Sequence, residues 1–339
     1  MKKSLLAAVL AFAGACVQAS VGVAELPGLD GDGPVTVFYP TSSAERPLQR
    51  GPFALNFAEQ GQPVRGNGRL VVFSHGSGGA PWVHSDLARA FVDAGFVVAM
   101  PEHRGDNYKD RSAIGPRSWK MRPAEVSRAI DDIAQDPRFA PLLSLDKVGM
   151  YGMSAGGHTA LAMAGGRWSP SVLREHCEGH LDDDFQTCVG PFTRLRGDAF
   201  DGLKKAIALP LIRWRLDDKT WYSHEDKRIA AVVADVPFAA DFDVQSLAHP
   251  RVPLGVVISE RDVWLQPRYH VRGVLKACAS CEVVADLPGA GHGSLLSPQP
   301  DGVSGVVGEL LADPPGFQRS SVPAAHALIV GFFRKHLLP

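Results

Sequence analysis

An excess of charge of either sign is what this sequence most plainly lacks. Its 35 Lys and Arg stand against 36 Asp and Glu, a net charge of −1 over 339 residues. Without a basic excess there is no electrostatic footing on a nucleic-acid backbone or an anionic membrane. Long apolar runs are missing too: Leu5–Ala13 falls short of the roughly 20 residues that a membrane span needs. Cysteine is sparse, at five. The glycine-rich stretch Ser74–Gly79 is not followed by Gly-Lys-Ser/Thr, and Pro81 stands where a dinucleotide turn needs its third glycine. Both a phosphate cradle and a dinucleotide fingerprint are thereby excluded there. Internal repeats and low-complexity tracts are also absent.

What is present suits a folded enzyme-sized chain. Hydrophobic residues make up 45% and charged residues 21%, enough for a sizeable core and too apolar for disorder. The first 19 residues carry Lys2 and Lys3, then the apolar run, then Val17-Gln18-Ala19. A charged start, a short apolar centre and a small-residue cut are the marks of a secretory signal peptide. The expectation is a periplasmic or extracellular protein cut near Ala19, with 20–339 as one α/β domain. Ala13-Gly14-Ala15-Cys16 is a weaker alternative, a lipoprotein cut that would leave Cys16 lipidated.

Export leaves Cys177, Cys188, Cys278 and Cys281, an even count in an oxidising compartment, so two disulfides are expected. Three pairings are possible, and proximity favours Cys177–Cys188 with Cys278–Cys281. His176, Cys177 and His180 beside Asp182, Asp183 and Asp184 raise a metal alternative, but zinc sites bring two tight ligand pairs together and only one Cys-x-x-Cys is present. No metal and no cofactor are expected.

Short apolar, β-branched runs recur at Val35–Tyr39, Arg69–Phe73, Phe96–Met100, Val148–Tyr151, Ile229–Val233 and Leu254–Ser259, with Glu282–Leu287 strand-like as well. Near-continuous runs of this kind suit strands covered on both faces. Helical periods lie between them at Ser85–Ala94, Pro123–Gln135, Ala155–Ala164 and Gln266–Ala277, with Pro123 read as a first-turn proline and Glu125 as its N-terminal acid. Alternation of this type predicts a mostly parallel, doubly wound sheet. The stretch 165–228 is far longer than an ordinary connection and rich in aromatics, so an inserted cap or lid is expected there.

Gly152-Met153-Ser154-Ala155-Gly156 follows the strand at 148–151 and opens a helix, the context of a nucleophile elbow. A serine hydroxyl needs a base beside it. His292, in Pro288-Gly289-Ala290-Gly291-His292-Gly293, comes after Ser154 in the hydrolase chain order, whereas His158 reads as packing or support. A carboxylate must orient that imidazole. Asp262, after the strand at 254–259, is the first choice; Asp235, after the strand at 229–233, is the alternative, with Glu260 a distant third. The developing negative charge needs N–H donors, for which the backbone amides of Ser77 and Ala155 are the candidates.

These features together resemble the α/β-hydrolase superfamily, and within it predicted dienelactone hydrolases related to platelet-activating-factor acetylhydrolases. The resemblance rests on Thr36-Val37-Phe38-Tyr39-Pro40, Phe73-Ser74-His75-Gly76, Pro101-Glu102-His103-Arg104-Gly105, the elbow, the cysteine-bearing insertion and the His292 loop. It implies a cofactor-free serine hydrolase acting on small or lipid-like carboxylic esters through an acyl-enzyme. Acyl transfer or amide cleavage by the same residues is the alternative, and a non-catalytic binding protein on this fold a remoter one. Ser154 departs from dienelactone hydrolases, which carry cysteine there. The acetylhydrolases place their acid where Asp235 stands, and related polyester-cleaving enzymes where Asp262 stands.

Overall fold

The computed structural model describes residues 20–339, so the expected signal peptide and Cys16 lie outside the described residues. Twelve strands run β1 Ser20–Leu26, β2 Val35–Thr41, β3 Arg46–Arg50, β4 Phe53–Glu59, β5 Leu70–Ser74, β6 Val97–Pro101, β7 Val148–Met153, β8 Arg167–Trp168, β9 Ile229–Asp235, β10 Phe242–Asp243, β11 Leu254–Ser259 and β12 Glu282–Leu287. Helices are α1 Ser85–Asp93, α2 Pro116–Gln135, α3 Ala155–Met163, α4 Pro170–His180, α5 Phe185–Val189, α6 Asp201–Arg215, α7 Val271–Ala277, α8 Gly305–Leu311 and α9 Val322–Leu337.

Ten strands form one mixed sheet in the order β12-β11-β9-β7-β5-β6-β2-β1-β4-β3. Its six strands from β12 to β6 are mutually parallel. Side chains of β11, β9, β7, β5 and β6 are buried on both faces because helices cover both, while the edge strand β12 stays partly exposed. Val126, Ile130 and Ile133 of α2 and Leu161 of α3 fill one side; Phe91 of α1 with Ile329 and Phe333 of α9 fill the other. Burial on two faces is why β5, β6, β7 and β11 read as unbroken apolar runs rather than alternations.

Several boundaries differ from the sequence reading. Helix α2 begins at Pro116, not Pro123, and runs straight through Pro123. Pro116 already supplies the preset first turn, and Pro123 only removes one later helical bond. Glu125 therefore lies inside the helix with its side chain buried, and is not an N-terminal acid. Helix α7 is shorter than the period at 266–277 indicated, starting at Val271 after a turn. The antiparallel side of the sheet, β1 and the β3–β4 hairpin, had no sequence forecast, nor did α8 and α9.

Residues 165–228 carry α4, α5 and α6. A disulfide between Cys177 and Cys188, with Cα atoms 5.6 Å apart, ties α4 to α5, and Cys278–Cys281 closes the turn before β12.

Candidate active site

Strand β7 ends and α3 begins within one sharp turn at Ser154, whose φ of 58° lies in the left-handed region. The flanking glycines are steric necessities. A Cβ on Gly156 would stand 1.8 Å from the Ser74 carbonyl oxygen, and one on Gly152 1.9 Å from the Gly156 carbonyl oxygen. The strain is held by hydrogen bonds: Ser154 N–H donates to the Asp235 carbonyl at 3.0 Å, while the Ser154 carbonyl accepts from His158 and Phe238 N–H groups.

His292 sits on the loop after β12, with its Nε2 3.0 Å from Ser154 Oγ. Its Nδ1 lies 2.6 Å from Asp262 Oδ2. The other oxygen, Asp262 Oδ1, accepts the backbone N–H groups of Trp264 at 2.8 Å and Leu265 at 2.9 Å. That carboxylate is thus gripped from one side and aims its free edge at the imidazole. The loops bearing the two residues are stitched together, since Glu260 N–H donates to the Leu287 carbonyl and Arg261 N–H to the Ala290 carbonyl. The parallel pairing of β11 with β12 brings these loops to one sheet edge.

Asp235 is not beside the imidazole's Nδ1; its Oδ2 accepts the Tyr151 hydroxyl at 2.7 Å beneath the elbow. Burial pushes its carboxyl up to about 7, helped by the neighbouring Asp262 and opposed by Tyr151 and His292. Glu260 points away and pairs with Arg272. His158 is fully buried, stacked on Trp119 with its Nε2 3.0 Å from Asp241.

The loop at 74–79 after β5 lies directly against the serine: a methyl group at Gly76 would be 3.4 Å from Ser154 Cβ. The backbone N–H groups of Ser77 and Ala155 have no acceptor among the described residues. A buried scaffold that the sequence did not reveal fixes this loop. Arg122 of α2 donates from Nη1 to the His75 carbonyl at 2.5 Å and from Nη2 to Asp106 Oδ2 at 2.8 Å. Asp106 also accepts the Gly78 N–H at 2.9 Å, the Ser77 hydroxyl at 3.1 Å and the Ser118 hydroxyl at 2.8 Å. Against burial, which pushes that carboxyl up, Arg122 and these donors hold it down at about 2. Behind it, Ser74 Oγ lies 2.7 Å from His103 Nε2, whose Nδ1 lies 2.5 Å from Glu125. Burial drives His103 well below and Glu125 above their ordinary ranges, so both incline to their neutral forms.

Ser154 and His292 open onto a cavity of about 1060 Å³. Its walls come from the 76–80 loop, the β3–β4 turn, α2, the 187–191 segment, α6 and α8. The acidic stretch at 182–184 lies apart from it, and its carboxylates go to separate partners: Asp182 to Lys205, Asp183 to Tyr269 and Asp184 to His176.

Compared with solved structures, the chain is similar to a ferulic acid esterase from Streptomyces cinnamoneus, with a TM-score of 0.59 at 14% identity over 96% of this chain and 92% of that one. The fold is that of an α/β-hydrolase. Residues 56–133 match the family described as platelet-activating factor acetylhydrolase, isoform II. The match spans β4 to α2, including the Ser74-His75-Gly76 loop and the Arg122–Asp106 scaffold, and ends before Ser154. A sequence search of curated proteins finds no match. The chain resembles acetylhydrolases over residues 56–133 and an esterase in its whole fold. Among its described residues, no helix is long and apolar enough to cross a membrane.

Proposed function

We propose that this protein is an exported serine hydrolase that cleaves carboxylic esters through an acyl-enzyme. The reading is carried by one observation, the continuous run of hydrogen-bonding distances from Ser154 Oγ to His292 Nε2 and from His292 Nδ1 to Asp262. His292, neutral and protonated at Nδ1, takes the Ser154 proton on Nε2 as Oγ attacks the ester carbonyl. Asp262 holds that tautomer and stabilises the imidazolium. Negative charge on the carbonyl oxygen meets the amides of Ser77 and Ala155, each such donor being worth about 3 kcal/mol. The imidazolium then returns its proton to the departing alkoxide, leaving an acyl group on Ser154. Water, deprotonated by His292, attacks the acyl carbon and releases the acid and free Ser154.

The acetylhydrolase-like segment 56–133 and the esterase-like fold support ester chemistry over other acyl substrates. The leader-like residues 1–19 and two disulfides support export. Segment 165–228 serves as the cap, because α5 and α6 supply one wall of the cavity. In a test with p-nitrophenyl butyrate, Ser154→Ala and His292→Ala each lose about 10⁴-fold or more in kcat, as members of one catalytic unit do. Full activity in Ser154→Ala would overturn the reading.

A further inference from the structure

The cavity wall is charged with one sign only. A chain with nearly equal numbers of basic and acidic residues places Arg50, Arg111, Arg117, Lys120 and Arg215 on this wall, and no aspartate or glutamate. Two of the five are neutralised nearby, Arg50 by Glu59 and Lys120 by Asp218. Arg111, Arg117 and Arg215 form no ion pair among the described residues.

Arg111 holds the most telling place. Its side chain lies across the loop that carries Ser77, with Nε 3.3 Å from where a Cβ on Gly78 would stand. A larger residue at 78 would displace it, and the positive φ of 62° there also favours glycine. Arg111 lines the same cavity as Ser154 and His292. Arg117, two residues into α2, borders that space as well. The rest of the wall is largely apolar, with Trp82, Trp264, Leu265 and Val307 among its members.

We propose that the substrate is an amphiphilic ester with a negatively charged group, carboxylate or phosphate, which Arg111 and Arg117 hold while the apolar part fills the remaining cavity. This rests on the ester-hydrolase reading and adds the substrate's charge to it. Arginine suits the task because its planar fork binds carboxylate or phosphate oxygens in pairs. A cavity lined by one sign of charge also concentrates oppositely charged substrates.

The test uses two pairs of esters matched in size, on the whole mature protein. Mono(p-nitrophenyl) glutarate is set against p-nitrophenyl pentanoate, placing the charge on the acid side. A 4-carboxyphenyl butyrate is set against 4-methylphenyl butyrate, placing it on the alcohol side. The anionic member of at least one pair is expected to have a kcat/KM roughly tenfold above its partner, about what one charge-assisted hydrogen-bonded contact supplies. That ratio should fall as salt rises from about 50 to about 500 mM, since the arginines are solvent-exposed. It should also fall at least severalfold in Arg111→Gln and further in the Arg111→Gln/Arg117→Gln double variant, and be only partly kept in Arg111→Lys, which retains the charge but not the planar fork. The neutral ester reports in each variant whether the fold and the catalytic groups survive. Neutral esters preferred in both pairs, or a preference untouched by the double variant, overturns this inference while leaving the ester reading standing. No hydrolysis of any of the four esters by the wild type overturns both.

Discussion

Asp235 ends β9 and Asp262 follows the adjacent strand β11, yet their surroundings give them opposite characters. Asp262 receives two backbone N–H groups and faces His292; Asp235 sits deeper with one hydroxyl for company and its Oδ1 without a partner among the described residues. If Asp262 orients the imidazole, Asp262→Asn loses about 10⁴-fold in kcat, whereas Asp235→Asn stays within about tenfold, because it keeps the hydrogen-bonding shape at Tyr151. Steady-state rates on one ester decide between them. The pH dependence of stability gives a second check. Asp235, pushed up to about 7 by burial, keeps a proton in the folded chain that the unfolded chain has released above about 4. Stability therefore falls as pH rises between those values and levels off above them. Asp235→Asn should lose that slope, so urea unfolding at pH 5 and pH 8 should show the variant gaining on the wild type by on the order of 2 kcal/mol at the higher pH. At this scale Ser154 and His292 were legible in the sequence because glycines at fixed offsets announce tight turns. Asp262 is the first choice of acid over Asp235 from the sequence, but both follow or end apolar strands, so only three-dimensional partners tell them apart.

Among the elements, α2 anchors the Ser77 loop of the cavity, and the disulfide to α4 ties down α5, part of its wall. Arg122 and Asp106 are both fully buried, and between them they fix the Ser77–Gly78 turn. Breaking one side of such a pair typically costs about 3–5 kcal/mol, since a buried charge is left alone. Asp106→Asn should show that loss in thermal or urea unfolding, and a kcat that falls with little change in KM as the Ser77 amide loses its aim. The sequence hid this arrangement, because the helix expected from Pro123 left Arg122 outside it and Asp106 lies 16 positions away in a loop. Pro123 misled in the same way: proline marks helix starts often enough that the true start at Pro116 was passed over. The disulfide from Cys177 to Cys188 spans 11 positions, and removing both cysteines should lower stability by about 3 kcal/mol. Cys188 and its neighbours line the cavity, so the same Cys177→Ser/Cys188→Ser variant should also show a raised KM in the ester assay.

For the whole molecule, strand–helix alternation was enough to predict a mostly parallel sheet, because strands buried on both faces are apolar throughout. The strand at Leu254–Ser259 falls where its apolar run begins and ends, and the edge strand Glu282–Leu287 keeps its expected bounds although it carries Glu282 and Asp286. The cavity was beyond reach of such reasoning. It is assembled from Arg50 in a hairpin, Trp82 after β5, Leu211 in α6 and Val307 in α8, which nothing in local pattern brings together. For the export proposal, mass spectrometry of the protein secreted by an expressing bacterium should find Ser20 as the first residue, the start of β1; a retained leader contradicts it. The central claim concerns Ser154. Incubation with a fluorophosphonate, followed by intact-mass measurement and peptide mapping, tests it most directly. The account predicts a single adduct on the peptide carrying Ser154, absent in Ser154→Ala and slow to form in His292→Ala. An adduct elsewhere, or none on the folded wild type, would contradict it.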